Sequence, residues 1–546
     1  MLWTAPRSTQ DVGGTKIVAL PSEFSPDEEA VLARYFTNLD RPVFALRNLP
    51  EVVKGALFSR YSRTEKSLRR VLLEEFINEP ESGFATLAGA APSADDMVAV
   101  RRAEEFYERV LVGYGDDSVA ELAGAHVAVE QTSTLAAKAL EDSRIGISPL
   151  EKSTRYVRFD RRGADGLYLY YRGPELAHPD YKPAADALFE TYSGLVEPAT
   201  NAIRERFPQE EGETDRAWKS ATRAKALDLL RGLLPAGTLT NLGLFGNGRA
   251  FEYLVTKMAA HELPECQRIA TDMLGELSSV IPSFVRRALD ETHGRPSADR
   301  LVRVRERTAM LARRGIAEPT GPSVRLLEHD PDAERKVVAA ALYPQSNLPL
   351  DQQPGDPKAV LDALMADRTN RRQRPPRALE HAEYTFEITA NFAAYRDLHR
   401  HRMLTQDRQH LGTALGYDTP ASLADLGMAD AFDRAVDAAA RTQQRLEREV
   451  GSALAQYLVP LAFRVRWYFR ANLREVYHLC ELRTTPQGHP DYRWIAQQMF
   501  LRIREVHPRL AAYGKFVDLG PGDELERRRA EQKIDIKIQE LNQRLR

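Results

Sequence analysis

Three short stretches of this sequence hold groups suited to binding anions and activating a heterocyclic ring. Arg400-His401-Arg402 puts two fixed cations around an imidazole at the end of a helical segment. On its own, such a cluster is most simply a helix C-terminus complemented by basic residues. Glu151-Lys152-Ser153-Thr154-Arg155-Tyr156 follows a Gly146/Pro149 turn. A Ser hydroxyl and an Arg fork two residues apart on a loop can clasp a phosphate, with backbone N–H groups as further donors. Asn-x-Arg occurs twice, at Asn247 and Asn472. An amide offering donor and acceptor beside an all-donor guanidinium suits an imide edge, as in uracil or the flavin pyrimidine ring. The same Asn also suits a helix N-cap, and the two roles are compatible. Asn472 and Arg483 lie eleven residues apart, about three helical turns, and so share a helix face.

The elements that must position these groups form a tandem duplication. Residues 231–253 and 456–478 both carry Leu-(Leu/Val)-Pro, eleven residues, then Asn-x-Arg. Pro235 and Pro460, Asn247 and Asn472, Arg249 and Arg474, and Arg268 and Arg493 all keep one offset of 225, while Pro282 and Pro508 differ from it by one. A chance match would not hold register through so many landmarks, and the period is far too long for a solenoid. Upstream, SVAELAGAHVAVE corresponds to RALEHAEYTFEIT, and HAEYTFEIT alternates like a strand with one buried face. Helical segments follow both: TSTLAAKALEDSR and FAAYRDLHRHR. The expected fold is therefore α+β, two tandem copies of a small, mostly antiparallel sheet packed with long helices. Repeat one is expected over 40–295, a charged helical linker over 296–324, repeat two over 325–515 and a charged, solvated C-terminal helix over 516–546.

Composition narrows the function classes. The 546 residues are 43% hydrophobic and 28% charged, with a net charge of -2, as in an ordinary globular protein with no bulk attraction to nucleic acid or membrane. Cys266 and Cys480 alone make neither a disulfide framework nor a four-cysteine metal site. No HExxH or paired-ligand histidine spacing occurs, so no metal is expected. The N-terminus lacks a secretory pattern and apolar runs stay under the roughly 18 residues of a spanning helix, so a cytoplasmic location is expected.

Together these segments resemble the flavin-dependent (alternative) thymidylate synthases, the ThyX family, across both copies. That family is marked by Arg-His-Arg, seven residues, then Ser-x-Arg-Tyr, followed by Arg-x-x-Leu-Pro, Asn-x-Arg and a further Arg. The resemblance implies a homotetramer with FAD at subunit interfaces. It implies hydride from NADPH and a one-carbon unit from methylenetetrahydrofolate, transferred to deoxyuridylate. Residue by residue, it implies flavin-side roles for Ser62, Ser118, Asn247, Arg400, His401, Arg402, Asn472 and His478. It implies nucleotide binding by Glu151, Ser153, Thr154, Arg155, Arg231 and Arg483, with Arg400 and Arg483 polarising the reacting ring.

Each copy departs from the pattern. In copy one Asp116 stands where a His is usual, Arg-His-Arg has become Asp142-Ser143-Arg144, and Met258 replaces the later arginine. In copy two Ser-x-Arg-Tyr is lost around His410, Leu411 and Gly412, and Gln456 stands opposite Arg231. The losses are complementary. The expectation is that the copies pair and build a composite site from the loop of copy one and the Arg-His-Arg of copy two, so that a homodimer imitates the tetramer. Two other readings fit the same residues: a non-catalytic scaffold or nucleotide-binding protein, and a flavin-dependent enzyme methylating or hydroxymethylating another pyrimidine nucleotide.

Overall fold

The computed structural model describes residues 24–40, 43–49, 51–61, 64–78, 121–143, 145–155, 157–313, 315 and 318–544. Ser62, Asp116, Ser118 and Arg144 lie outside the described residues.

Strand alternation and helix caps define the same unit twice. In repeat one, β1 (Gly124–Ser133) leads into α1 (Thr134–Glu141), then β2 (Ile147–Glu151), α2 (Tyr181–Arg206), α3 (Asp215–Leu230), β3 (Leu239–Asn247), α4 (Gly248–Ala259) and α5 (Pro264–Val280). In repeat two, β4 (Ser323–His329) precedes β5 (Glu383–Asn391), α6 (Phe392–Leu398), β6 (Thr405–Arg408), α7 (Ala429–Val450), β7 (Arg464–Asn472), α8 (Leu473–Arg483) and α9 (Pro490–Val506). A last helix, α10 (Arg528–Arg544), closes the chain. The sheet orders are β1-β3-β2 and β4-β5-β7-β6. With β1 matched to β5, β3 to β7 and β2 to β6, the two orders coincide, so the duplication is one of topology as well as of sequence. The β5–β7 ladder is antiparallel and unbroken from Glu383↔Asn472 to Asn391↔Arg464. On β3 and β7 alternate residues are buried, the two-residue period of a strand with one face on a core.

The helices that follow β1 and β5 start in the same way. Ser133 Oγ accepts from Ala136 N at 2.9 Å, and Asn391 Oδ1 accepts from Ala394 N at 2.9 Å. Capping of this kind satisfies one orphan amide at each helix start. The next free amides are satisfied by the Leu-Pro loop of the same repeat: Thr134 and Leu135 donate to Thr238 and Ala236, and Phe392 and Ala393 donate to Phe463 and Leu461. Each Leu-Pro loop thus fixes where its helix begins, and so where the residues at that helix's far end are presented.

The two Leu-Pro loops pair with each other. Pro235 and Pro460, equivalent in the two copies, form an antiparallel bridge. Around it Leu461 N donates to Leu234 O, Ala462 N to Gly232 O, Ala236 N to Val459 O and Gly237 N to Tyr457 O, all at 2.8–3.0 Å. Equivalent residues facing one another are the mark of an isologous, two-fold interface, here between repeats of one chain. Gly237 is required at this seam, because a Cβ there would lie 2.8 Å from Tyr457 O.

Tertiary contacts divide the chain into two compact units whose limits cut across the repeats: residues 1–127, 245–257 and 270–299, and residues 128–244, 258–269 and 300–546. The expected divisions at 40–295 and 325–515 follow the sequence repeat instead. The middle of repeat one packs with repeat two, through the loop seam and through α2 against α7. In the first unit, Arg69 lies 3.8 Å from the Phe44 ring centre, and a Ser25–Glu28 capping box opens the helix Pro26–Leu32. The second unit holds the candidate site. Among the described residues, no helix is long and apolar enough to cross a membrane.

Candidate functional site

Two clefts in the second unit meet at two arginines. The larger, about 510 Å³, is lined by Arg400, His401, Arg402, Asn472, His478 and Arg483, with Arg371, Arg374 and Arg474 nearby. The smaller, about 190 Å³, is lined by Ser153, Thr154, Arg155 and Arg231 from repeat one and by Arg396, Asp397, Arg400, Arg483 and Tyr492 from repeat two. Arg400 and Arg483 line both. One chain therefore brings together the loop of copy one and the Arg-His-Arg of copy two.

The smaller cleft is an arginine cluster held by buried carboxylates. Arg155 Nε donates to both oxygens of Asp228 at 2.8 and 2.9 Å, and its Nη1 reaches Tyr492 Oη at 3.3 Å. Arg231, 3% exposed, gives Nη1 to Asp397 at 3.1 Å, while its Nη2 has no hydrogen-bond partner among the described residues. Burial alone would raise the Asp397 pKa, but Arg231, Arg483, Arg155 and Arg400 hold it well below the usual carboxylate range. A buried guanidinium nitrogen without an acceptor is costly unless a ligand supplies one. The position suits an anion.

Glu151 is placed differently from the expectation of a nucleotide contact. It ends β2 and is buried behind the cleft, where Lys138 Nζ (2.9 Å) and Arg396 Nη2 (2.9 Å) take its oxygens and Arg400 Nη2 lies at 3.5 Å. Burial opposes its ionisation, but Arg396 and Lys138 hold its pKa down. Its work is to fix the arginines. Ser153 and Thr154 do line the cleft, and Ser153 Oγ accepts from Arg155 N at 3.3 Å.

On the other side, α6 ends at Leu398, so Arg400, His401 and Arg402 stand just beyond it. Arg402 is tied to copy one through Ile147 O (2.5 Å) and Ser148 Oγ (3.2 Å). Arg483 Nε, which can only donate, lies 3.0 Å from His401 Nε2. That nitrogen must accept, so the ring proton is on Nδ1 and is donated to Glu475 at 2.9 Å. Burial, with Arg483 and His478, pushes the His401 pKa well below its usual value and keeps the ring neutral. His401, Glu475 and His478 present ligand atoms within 4.8 Å of one another, as a metal site would. Both nitrogens of His401 are spent on protein partners, however, and Arg400 and Arg483 line the same space, so the donor set does not suit a cation.

Asn472 caps α8 by accepting from Glu475 N at 3.0 Å, so its oxygen is committed and its amide N–H groups remain for the cleft. Asn247 caps α4 in the first unit through Ala250 N at 2.8 Å.

A third cleft, about 210 Å³, is the two-fold mate of the arginine cleft. Lys138, Ala139, Asp142 and Gln456 line it at the positions of Arg396, Asp397, Arg400 and Arg231. There Lys138 is neutralised by Glu141 and Glu151, and Asp142 puts a negative group where its mate has a cation. The mate keeps Arg408 among its lining residues but has Asp142 and Gln456 where the arginine cleft has Arg400 and Arg231.

Three residues of the site carry no local sequence signal: Asp228, Asp397 and Arg527. Asp397 sits next to Arg396 in α6 and reads as a helix-surface charge. Arg527, which precedes α10, lines the arginine cleft. The start of the C-terminal segment is packed rather than loosely solvated, since Lys225–Glu526 (2.6 Å), Arg528–Glu213 (3.2 Å) and Arg216–Asp535 (2.5 Å) pin it to α3 and the turn before it, whereas beyond Asp535 the helix is exposed as expected from its charge.

The chain is thus a duplicated α+β unit with an arginine cleft built from both copies. The chain belongs to the thymidylate synthase complementing protein family, which matches residues 71–283 and 325–509. It is 44% identical to a UPF0159 protein of Chlamydia muridarum, over 92% of this chain and 97% of that one. It is 33% identical to a UPF0159 protein of Thermoplasma acidophilum, over 86% and 95%. A flavin-dependent thymidylate synthase of Sulfolobus acidocaldarius is 32% identical over 25% of this chain and 55% of its own length. A solved UMP/dUMP methylase, PolB from Streptomyces cacaoi bound with 5-Br dUMP, is 20% identical over 37% of this chain and 97% of its own, with a TM-score of 0.31.

Proposed function

We propose that each chain holds one composite site, binding FAD in the larger cleft and a pyrimidine deoxynucleotide such as dUMP in the arginine cleft, and transferring a one-carbon unit to the uracil ring. The observation that carries this is the sharing of Arg400 and Arg483 by the two clefts. A ligand in one cleft and a ligand in the other would be in contact across two fixed cations.

In this reading Arg155, Arg231, Ser153 and Thr154 bind the nucleotide phosphate, and Arg231 Nη2 gains the acceptor it lacks. Arg483 and Arg400 then face the ring, where a fixed cation in a water-poor cleft stabilises negative charge developing on a ring carbonyl. His401, neutral and locked between Glu475 and Arg483, orients Arg483. The donor set of the larger cleft fits a flavin: Arg371, Arg374, Arg402 and Arg474 suit its phosphates, and Asn472 N–H and His478 suit ring acceptors. A bound flavin supplies the hydride that reduces the transferred carbon to a methyl group. By family resemblance, NADPH is the source of that hydride and methylenetetrahydrofolate the source of the carbon. Since the loop seam already pairs the copies, two chains suffice for a tetramer-like assembly.

The test is the visible absorption spectrum of the purified protein, followed by assay of dTMP formation from dUMP. Flavin bands and turnover are expected. A colourless protein that takes up no added FAD and binds no dUMP refutes the proposal and leaves the scaffold reading.

A further inference from the structure

We propose that Arg527, in the segment beyond the family match, is a ligand for the nucleotide phosphate, so that the C-terminal extension completes the arginine cleft; this rests on the nucleotide reading above. The family match ends at residue 509, so nothing in the repeated unit predicts a contribution from here. Yet Arg527 lines the cleft together with Arg155 and Arg231.

Its neighbours explain why it points inward. Glu526, 4% exposed, is held by Lys225 of α3 at 2.6 Å. Arg528 is committed to Glu213 at 3.2 Å and Glu210 at 2.8 Å. Further along, Arg216 bonds Asp535 at 2.5 Å and Glu531 at 3.1 Å. The same α3 carries Asp228, the anchor of Arg155, and hands over at its C-terminus to Arg231. The tail is thus clamped on both sides of Arg527 to the helix that positions the other two phosphate candidates.

The charge balance points the same way. Six arginines, Arg155, Arg231, Arg396, Arg400, Arg483 and Arg527, line the cleft with Asp397 as the one carboxylate among the lining residues. Asp228 and Glu151 offset two more from behind, and Glu531, itself shared with Arg216, acts on Arg527, which still leaves the arginines in excess. A cluster with this excess is favourable when a dianion sits in it. Burial, then repulsion from Arg155, lowers the Arg527 pKa to about 10, a cost that a phosphate would reverse.

The experiment is calorimetric titration of the full-length protein with dUMP and with deoxyuridine, comparing wild type, R527A, R527K and R231A. Loss of a charge-assisted phosphate contact is expected to weaken dUMP binding on the order of tenfold in R527A, with deoxyuridine unaffected and R527K partly restored. If R231A loses dUMP and R527A binds like wild type, the role of Arg527 is overturned while the nucleotide reading stands. If R527A weakens dUMP and deoxyuridine alike, Arg527 supports the fold rather than the phosphate, and the proposal also fails. If neither variant changes dUMP binding, the nucleotide reading itself is wrong.

Discussion

Replacing Arg231 by Gln converts the anion cleft to the chemistry of its two-fold mate, where Gln456 holds the equivalent position. Arg231 is 3% exposed, gives one nitrogen to Asp397 and keeps another without an acceptor. If that nitrogen meets phosphate, the variant loses a charge-assisted contact of about 1.5–3 kcal/mol, or roughly 10- to 150-fold in dUMP affinity. The effect on stability is smaller, because Gln can still donate to Asp397, and Arg483, Arg155 and Arg400 still face that carboxylate. A cost of roughly 1–3 kcal/mol is expected. Calorimetric titration with dUMP reads the first quantity and urea unfolding the second. The reasoning is refuted if dUMP affinity stays within about twofold of wild type while stability drops, since Arg231 would then only pair Asp397.

Other substitutions perturb separate parts of the site and its supports. Asp397→Asn removes the carboxylate that four arginines share; unfolding in urea should show a loss of about 3 kcal/mol, and phosphate should bind more tightly and restore part of it. Gly237→Ala forces a Cβ against Tyr457 O across the loop seam, and denaturant unfolding should report roughly 1–3 kcal/mol of destabilisation together with loss of nucleotide binding. The pKa of His401 is depressed in the folded state, so its contribution is complete above the unfolded value of about 6.5 and falls as the unfolded chain gains a proton at lower pH. Stability should therefore decline from pH 7 to 5, and less so in His401→Gln. The carboxylates of Asp397 and Asp228 have depressed folded pKa values, so their stabilisation is complete above about pH 4 and disappears in stronger acid; acid titration of Asp397→Asn should show a shallower loss.

Much of this was legible in the sequence, and the limits are physical. The 225-residue register needed only spacing, and it is carried by the seam at Pro235 and Pro460. Strand alternation identified β1 and β5, and Asn472 was recognisable both as a cap and as a cleft residue because those roles use different atoms. The complementary losses in the two copies anticipated that Arg155 and Arg400 would share a cleft. The pairing could be reasoned from chemistry, but its occurrence within one chain depends on backbone bonds between loops over 220 residues apart. Glu151 was read as a nucleotide ligand through the family resemblance; only three-dimensional packing reveals Lys138 and Arg396 at its oxygens. Asp228 and Asp397 occupy ordinary helix positions and gain meaning from arginines distant in sequence. Arg527 was hidden in a run of charges whose composition suggests solvent, because ion pairs to α3 leave no periodic signal.

The proposal of one composite site per chain rests on an arginine cleft whose two-fold mate has Asp142 and Gln456 in place of Arg400 and Arg231. Calorimetric titration of the flavin-loaded protein with dUMP measures this directly. The account predicts one dUMP per chain, abolished or strongly weakened by Arg155→Ala in copy one and by Arg400→Ala in copy two. Two equivalents per chain, or binding that survives either substitution, would contradict it.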